Sequence, residues 1–407
     1  MCLEVSVNLG NQYCFSKVTS RIPFIIRFQP LVEIQHRPHY SPVAVALVID
    51  RSGSMGGLKL ELAKVAAIHV VHMLDDNDVI SVYAFDDKIK EIVGPTIVYG
   101  KKEKIVSRIH KIKVGGATDI YSALRRARIS MAQFAQSYVT RIILLTDGMP
   151  TYGVTDHDQI VGESERAYGQ GISVIALGIG KKYDECLLSR MADASNGYFE
   201  HISDVRTLPQ IFEYYVREST NVIARNTIVE ILPADNVKVE ILGRSSSLTE
   251  KGSITVDIGD VYASSIMNLY GYIILPPKDL GKAKVMQVHV RFYDMTTKSQ
   301  REILNDVSVE YTPDTEKVKE SINQDINSEV LAVKYGEEIR NAVMRGDFVQ
   351  ATRMAEILKE VQKTVVNPYL SQEVKRTLMA LEQGDHKTLV ALTGKLLKGK
   401  TLVVKED

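Results

Sequence analysis

Val43-Ala44-Val45-Ala46-Leu47-Val48-Ile49-Asp50-Arg51-Ser52-Gly53-Ser54 opens on seven apolar residues and closes on three oxygen-bearing side chains. An unbroken apolar run of this length suits a strand buried on both faces, as in a parallel sheet covered by helices. The change at Asp50 puts the polar cluster at the strand's carboxyl end, just before a helical pattern. Open α/β sheets place their ligands there.

Outward from this stretch the alternation continues. Apolar runs over 79–85, 89–93, 142–147, 173–178 and 197–201 read as further strands, and 59–74, 102–112, 120–135, 159–169, 185–194 and 205–219 as helices. On the first of these helices Leu60, Ala63, Ala67, Val70, Val71 and Leu74 share one face. Residues 41–220 are therefore expected to form a doubly wound, mostly parallel α/β domain.

The flanks differ. Strand-like alternation over 3–8 and 22–28 precedes the α/β domain, and residues 221–312 hold further strand patterns separated by Gly, Asn and Asp turns. These two pieces, 1–40 and 221–312, are expected to pair into one β-sandwich whose strand order the sequence leaves open. The α/β domain would then be inserted in it. Residues 313–407 read as helical to the end, a small bundle with Pro368 as one break. Within it Gly346-Asp347 and Gly384-Asp385 would each end one helix and cap the next, which also accounts for the Arg345-Gly346-Asp347 tripeptide.

Composition narrows the function. The 407 residues suffice for about two to three domains. Lys+Arg and Asp+Glu are both 50, so the net charge is zero and nothing argues for nucleic acid or an anionic membrane as partner. The apolar runs are far shorter than the roughly 20 residues of a spanning helix. The amino-terminal residues alternate like a strand and have no charged-then-apolar leader pattern. Cys2, Cys14 and Cys186 show no Cys-x-x-Cys spacing, which fits neither a disulfide framework nor a zinc site. A cytoplasmic location is expected.

Two further oxygen donors share the address of Asp50, Ser52 and Ser54. Thr118 follows Gly115-Gly116 at the start of a helix, and Asp147 stands at a strand's carboxyl end before Gly148. Five oxygen donors without sulfur or imidazole select a hard divalent cation, Mg²⁺ best, with Mn²⁺ or Ca²⁺ as substitutes. Capping of the following helix would explain Asp50, Ser52 and Ser54 taken alone. Gly53 and Gly148 are expected to let the chain turn sharply, and Asp119 to cap its helix rather than bind the ion.

Asp50-x-Ser52-x-Ser54 with Thr118 and Asp147-Gly148 resembles the metal-ion-dependent adhesion site of the von Willebrand factor type A domain family. The resemblance covers roughly residues 42–220. It implies direct ion contacts from Ser52 and Ser54, contact from Thr118 directly or through water, and contacts largely through water from Asp50 and Asp147. An Asp or Glu from a protein partner would complete the shell. The chain would be a regulatory binding protein and not an enzyme.

The order of strands, A domain, strands and helical tail also resembles prokaryotic cytoplasmic A-domain proteins, among them archaeal regulators of motility. That implies a partner with a forkhead-associated domain, recruited after a Ser/Thr kinase has acted, with Thr401 as a candidate acceptor. Rival expectations are an adaptor of a MoxR-type ring ATPase and a metal-dependent hydrolase. The latter lacks a second acidic or histidine cluster. His36/His39, His69/His72, the Gly178-Ile179-Gly180 loop and Arg125-Arg126-x-Arg128 read as ordinary loop, turn and helix-face residues.

Overall fold

The computed structural model describes residues 2–31, 42–250 and 252–402. The chain forms two compact units, one of residues 37–221 and one of residues 1–36 with 222–407.

The chain begins in the discontinuous unit with β1 (Leu3–Leu9), β2 (Tyr13–Phe15) and β3 (Ser20–Pro30). It then builds the continuous unit: β4 (Val43–Asp50), α1 (Leu58–Met73), β5 (Val79–Phe85), β6 (Ile89–Ile97), α2 (Lys102–Ile109), α3 (Ile120–Met131), β7 (Val139–Thr146), α4 (His157–Gly169), β8 (Ile172–Ile179), α5 (Glu185–Ala194), β9 (Tyr198–Ile202) and α6 (Leu208–Thr220). Its sheet runs β6-β5-β4-β7-β8-β9, parallel except for β6, which is antiparallel to β5.

Every residue of β4, β5 and β7 is buried, as the uninterrupted apolar runs require. Each buried Val, Leu or Ile there contributes about 1.5–3 kcal/mol relative to exposure. Helix α1 packs with α2 and α6, and α4 packs with α3 and α5, giving the two helical layers. After β4 the chain moves to one side through α1 to β5. It later returns past β4 to β7, so the winding reverses beside β4, and at such a reversal open α/β sheets place their ligands, outside the strands' carboxyl ends.

The discontinuous unit resumes with β10 (Val222–Pro233), β11 (Lys238–Leu242), β12 (Ser246–Leu248), β13 (Ile254–Tyr262), β14 (Ser265–Leu275), β15 (Gly281–Asp294) and β16 (Ser299–Thr312). One sheet is ordered β1-β3-β14-β11 and the other β12-β13-β10-β15-β16-β2. The antiparallel register Met267↔Phe28 through Leu275↔Ser20 joins the amino-terminal strands to those that follow the α/β unit. Every pairing in this unit is antiparallel except β2 with β16.

Helices α7 (Thr315–Glu320), α8 (Gln324–Met344), α9 (Phe348–Gln362), α10 (Pro368–Glu382) and α11 (His386–Leu397) follow. They belong to the same compact unit: Ile326, Val330 and Val333 of α8 and Leu397 of α11 share a core with Ile25, Tyr270 and Tyr272 of the sheet. Pro368 occupies the first turn of α10, where its missing N–H is harmless. Gly346 (φ 74°) ends α8, and Asp347 caps α9 by accepting from the Gln350 N–H; Gly384 (φ 66°) and Asp385 repeat the device for α11.

The tail departs from the all-helical expectation in its last described residues. Lys400–Leu402 form β17, which pairs with Ser265–Met267 of β14, so the backbone of Thr401 lies opposite Ile266. Among the described residues no helix is long and apolar enough to cross a membrane. His36 and His39 lie outside the described residues.

Candidate metal centre

At the carboxyl end of β4, Asp50 is wholly buried. Its Oδ1 accepts the Ser52 N–H at 2.7 Å and its Oδ2 accepts the Thr146 hydroxyl at 2.6 Å. Burial pushes its carboxyl up to about 6, against the pull of those hydrogen bonds. In such a water-poor setting a nearby cation is attracted to the carboxylate more strongly than it would be in bulk water.

The chain after Asp50 makes a single tight turn at Gly53–Met55. That turn brings the Ser52 and Ser54 hydroxyl oxygens to 3.2 Å from one another. Just beyond the neighbouring strand β7, Asp147 Oδ1 accepts the Ser54 hydroxyl at 2.6 Å. Thr118 belongs to the same cluster: a methyl group placed on Gly148 would lie 3.5 Å from Thr118 Oγ1 and 3.9 Å from Ser54 Oγ. Ser52, Thr118 and Asp147 are buried, while Ser54 is exposed at the mouth.

The Thr118 loop is fastened on two sides. Its N–H donates to Thr151 Oγ1 at 3.1 Å, and its carbonyl accepts the N–H groups of Thr151 and Tyr152. The preceding Gly115 and Gly116 donate to the Arg51 carbonyl and to Asp86 Oδ2, and the Gly116 carbonyl accepts the Gly53 N–H at 3.0 Å. Asp86 in turn pairs with Arg51 at 2.8 Å. Although burial pushes the Asp86 carboxyl up, the N–H groups of Gly116 and Lys88 and the Arg51 guanidinium hold it below its ordinary range. These glycines answer to space: a Cβ on Gly115 would run into Asp86, and one on Gly116 would come to 2.7 Å from Asp87.

Neither Gly53 nor Gly148 adopts a positive φ, so neither is needed for a left-handed turn; Gly57 (φ 80°), just before α1, has that role. Gly148 instead leaves room beside the Thr118 and Ser54 hydroxyls. Asp119 caps α3 by accepting the Ser122 N–H at 3.0 Å.

Two residues that the motif did not single out touch its carboxylates. Thr146 holds Asp50, and the Lys59 ammonium forms an ion pair with Asp147 Oδ2. Thr146 could have been suspected as the neighbour of Asp147. Lys59 looks like any first-turn helix residue.

Several of the remaining candidates have ordinary partners. His69 pairs with Glu213, Arg126 with Glu91 and Arg128 with Glu163, and the Tyr183 ring fills the space where Gly178 would carry a side chain. Among the described residues no three His, Cys, Asp or Glu side chains gather as a metal site. The cluster at β4 and β7 has two carboxylates and three hydroxyls. That oxygen-only set suits a hard cation rather than zinc or copper. A polar cleft of about 450 Å³ in the other unit, lined in part by Asn8, Gln12, Asn305, Ser308 and Asn323, has no comparable cluster.

Comparison with known proteins agrees with this architecture. The family model for the von Willebrand factor type A domain matches residues 44–214. The chain is 28% identical over 303 residues to "Uncharacterized protein sll0103" of Synechocystis, covering 69% of this chain and 70% of that protein. In fold it is similar to a von Willebrand factor type A protein from Catenulispora acidiphila, at TM-score 0.78 and 14% identity over 98% of this chain and 97% of that one. It is also similar to the ArnB paralog VWA2 from Sulfolobus acidocaldarius, at TM-score 0.70 and 21% identity over 98% of both chains. Sequence match and fold thus coincide on the unit that bears the cluster, and residues 44–214 of this chain are a von Willebrand factor type A domain, a protein-interaction module.

Proposed function

We propose that Ser52, Ser54 and Thr118, with Asp50 and Asp147 behind them, hold a divalent cation of the magnesium class, and that this ion docks an acidic side chain of a protein partner. The observation that carries the reading is the convergence of three hydroxyls and two buried carboxylates at the carboxyl ends of β4 and β7. Neutral hydroxyls leave a bound ion electrophilic, and the ion supplies the charge that attracts a carboxylate. The protein's part is to position the donors. Thr146 and the Ser52 N–H fix Asp50, Ser54 is held by Asp147, and the Thr151 loop fixes Thr118. The role is binding and regulation, without turnover.

A pull-down from native extract tests this, using wild type and Asp50→Ala, each in Mg²⁺ and in chelator. A partner captured only by wild type in Mg²⁺ is the expected result. A partner retained in all four conditions would move the binding surface away from the ion and overturn the proposal.

A finer form of the proposal follows the whole-chain resemblance: a forkhead-associated-domain protein recruited once a Ser/Thr kinase has phosphorylated this chain. The similarity in fold over nearly the whole chain to the ArnB paralog supports the architecture on which that resemblance rests. Because the backbone of Thr401 pairs with β14, modification there would require β17 to detach. Phosphopeptide mapping after kinase treatment, with no phosphate found on the chain, would remove this form while leaving the ion-bridged reading intact.

A further inference from the structure

We propose that Lys59 is a resident counter-cation of the centre, which a divalent ion displaces from Asp147, and that the released ammonium then adds to the attraction for an acidic ligand. The inference rests on the metal reading above. Lys59 is the second residue of α1, and its ammonium is paired with Asp147 Oδ2 and lies 3.4 Å from the Ser54 carbonyl. The other oxygen of Asp147 takes the Ser54 hydroxyl, so this carboxylate joins the hydroxyl cluster to the lysine. Asp147 is 1% exposed and Lys59 36% exposed, so the pair has a buried anion and a cation with a route to water. Asp50, by contrast, receives two neutral donors. Among the described residues Lys59 is the one cation paired with a carboxylate of the cluster.

An ion held by Ser52, Ser54 and Thr118 would share Asp147 with the ammonium. Two positive centres that share one carboxylate repel, the more so where that carboxylate is buried. The stem of Lys59 is flexible and partly solvated, so the ammonium is the partner able to leave. Its Cα remains fixed in the first turn of α1. The freed charge therefore stays at the rim, where a ligand's carboxylate arrives and where added positive charge speeds and selects encounter.

The test is Mg²⁺ titration of the full chain as wild type, Lys59→Met and Lys59→Arg, with lysine acylation mapped on the wild type. Loss of the competing charge in Lys59→Met is expected to tighten Mg²⁺ binding about tenfold or more, with Lys59→Arg within about threefold of wild type. In wild type, acylation of Lys59 is expected to rise as Mg²⁺ saturates. Equal or weaker Mg²⁺ binding by Lys59→Met, or acylation of Lys59 that Mg²⁺ leaves unchanged, overturns the inference and leaves the metal reading standing. Absence of Mg²⁺ binding by both wild type and Lys59→Met overturns both. The acylation map needs no substitution, so the inference is decided even if a variant fails to fold.

Discussion

Asp50 is held in place by groups that carry no charge: a backbone N–H and the Thr146 hydroxyl. Removing one leaves a buried oxygen without its donor, so Thr146→Val is expected to lose about 1–3 kcal/mol in urea unfolding at neutral pH. Burial acts on the thiols too, pushing Cys2 up to about 12 and Cys14 up to about 11, which keeps both protonated and unreactive. The native chain is therefore expected to take up a thiol reagent at Cys186 first at pH 7, and at all three cysteines once unfolded; prompt labelling of Cys2 in the native chain would contradict this. At this scale the sequence was partly legible. Asp50, Ser52, Ser54, Thr118 and Asp147 stand out because their spacing places oxygen after strand ends. Thr146 and Lys59 do not, because their significance comes only from which side chain the fold sets opposite them.

Among the elements, the strands and helices with strong periodicity were legible. β4, β5 and β7 read as apolar runs because both faces are covered, and α1 read as one apolar stripe. β2, β12 and β17, each of three residues, were not; a strand that short has no period, and only its partner strand defines it. Helix ends were legible where Gly precedes Asp. Asp347→Ala is expected to lose about 1 kcal/mol, as measured by thermal or urea unfolding, since the Gln350 N–H loses its acceptor.

The β15–β16 turn carries a pH-dependent element. Asp294 is buried, which pushes its carboxyl up, yet bonds from the Thr296 hydroxyl and the N–H groups of Thr297, Cys2 and Thr296 outweigh that and bring it down to about 2. Because its folded pKa lies below the ordinary 3.8, its contribution is complete above that value and is lost as pH falls through 2. Asp294→Asn is thus expected to be less stable than wild type by on the order of 2 kcal/mol at pH 7, with the gap closing as pH is lowered from 4 to 2. A gap independent of pH would show that the charge is not what stabilises the turn.

For the whole molecule, the insertion was legible as a change of period, helical-and-apolar between two β-rich flanks. What the sequence could not show is that α8 and α11 complete the core of the sheet that contains β3 and β14, because their apolar residues carry no mark of their partners. This arrangement dictates which fragments fold. Residues 42–221 contain all the strands and helices of the continuous unit and are expected to unfold cooperatively on their own. Residues 222–402 lack β3, which lies between β1 and β14, and are expected to be unstable by circular dichroism unless residues 2–31 are supplied. Calorimetric titration of Mg²⁺ into the full chain as wild type, Asp50→Asn and Ser54→Ala tests ion binding at the carboxyl ends of β4 and β7. One Mg²⁺ per wild-type chain is expected, with binding lost or greatly weakened in both variants while their circular dichroism is unchanged; no heat from wild type, or equal binding by all three, would contradict an ion held by Asp50 and Ser54.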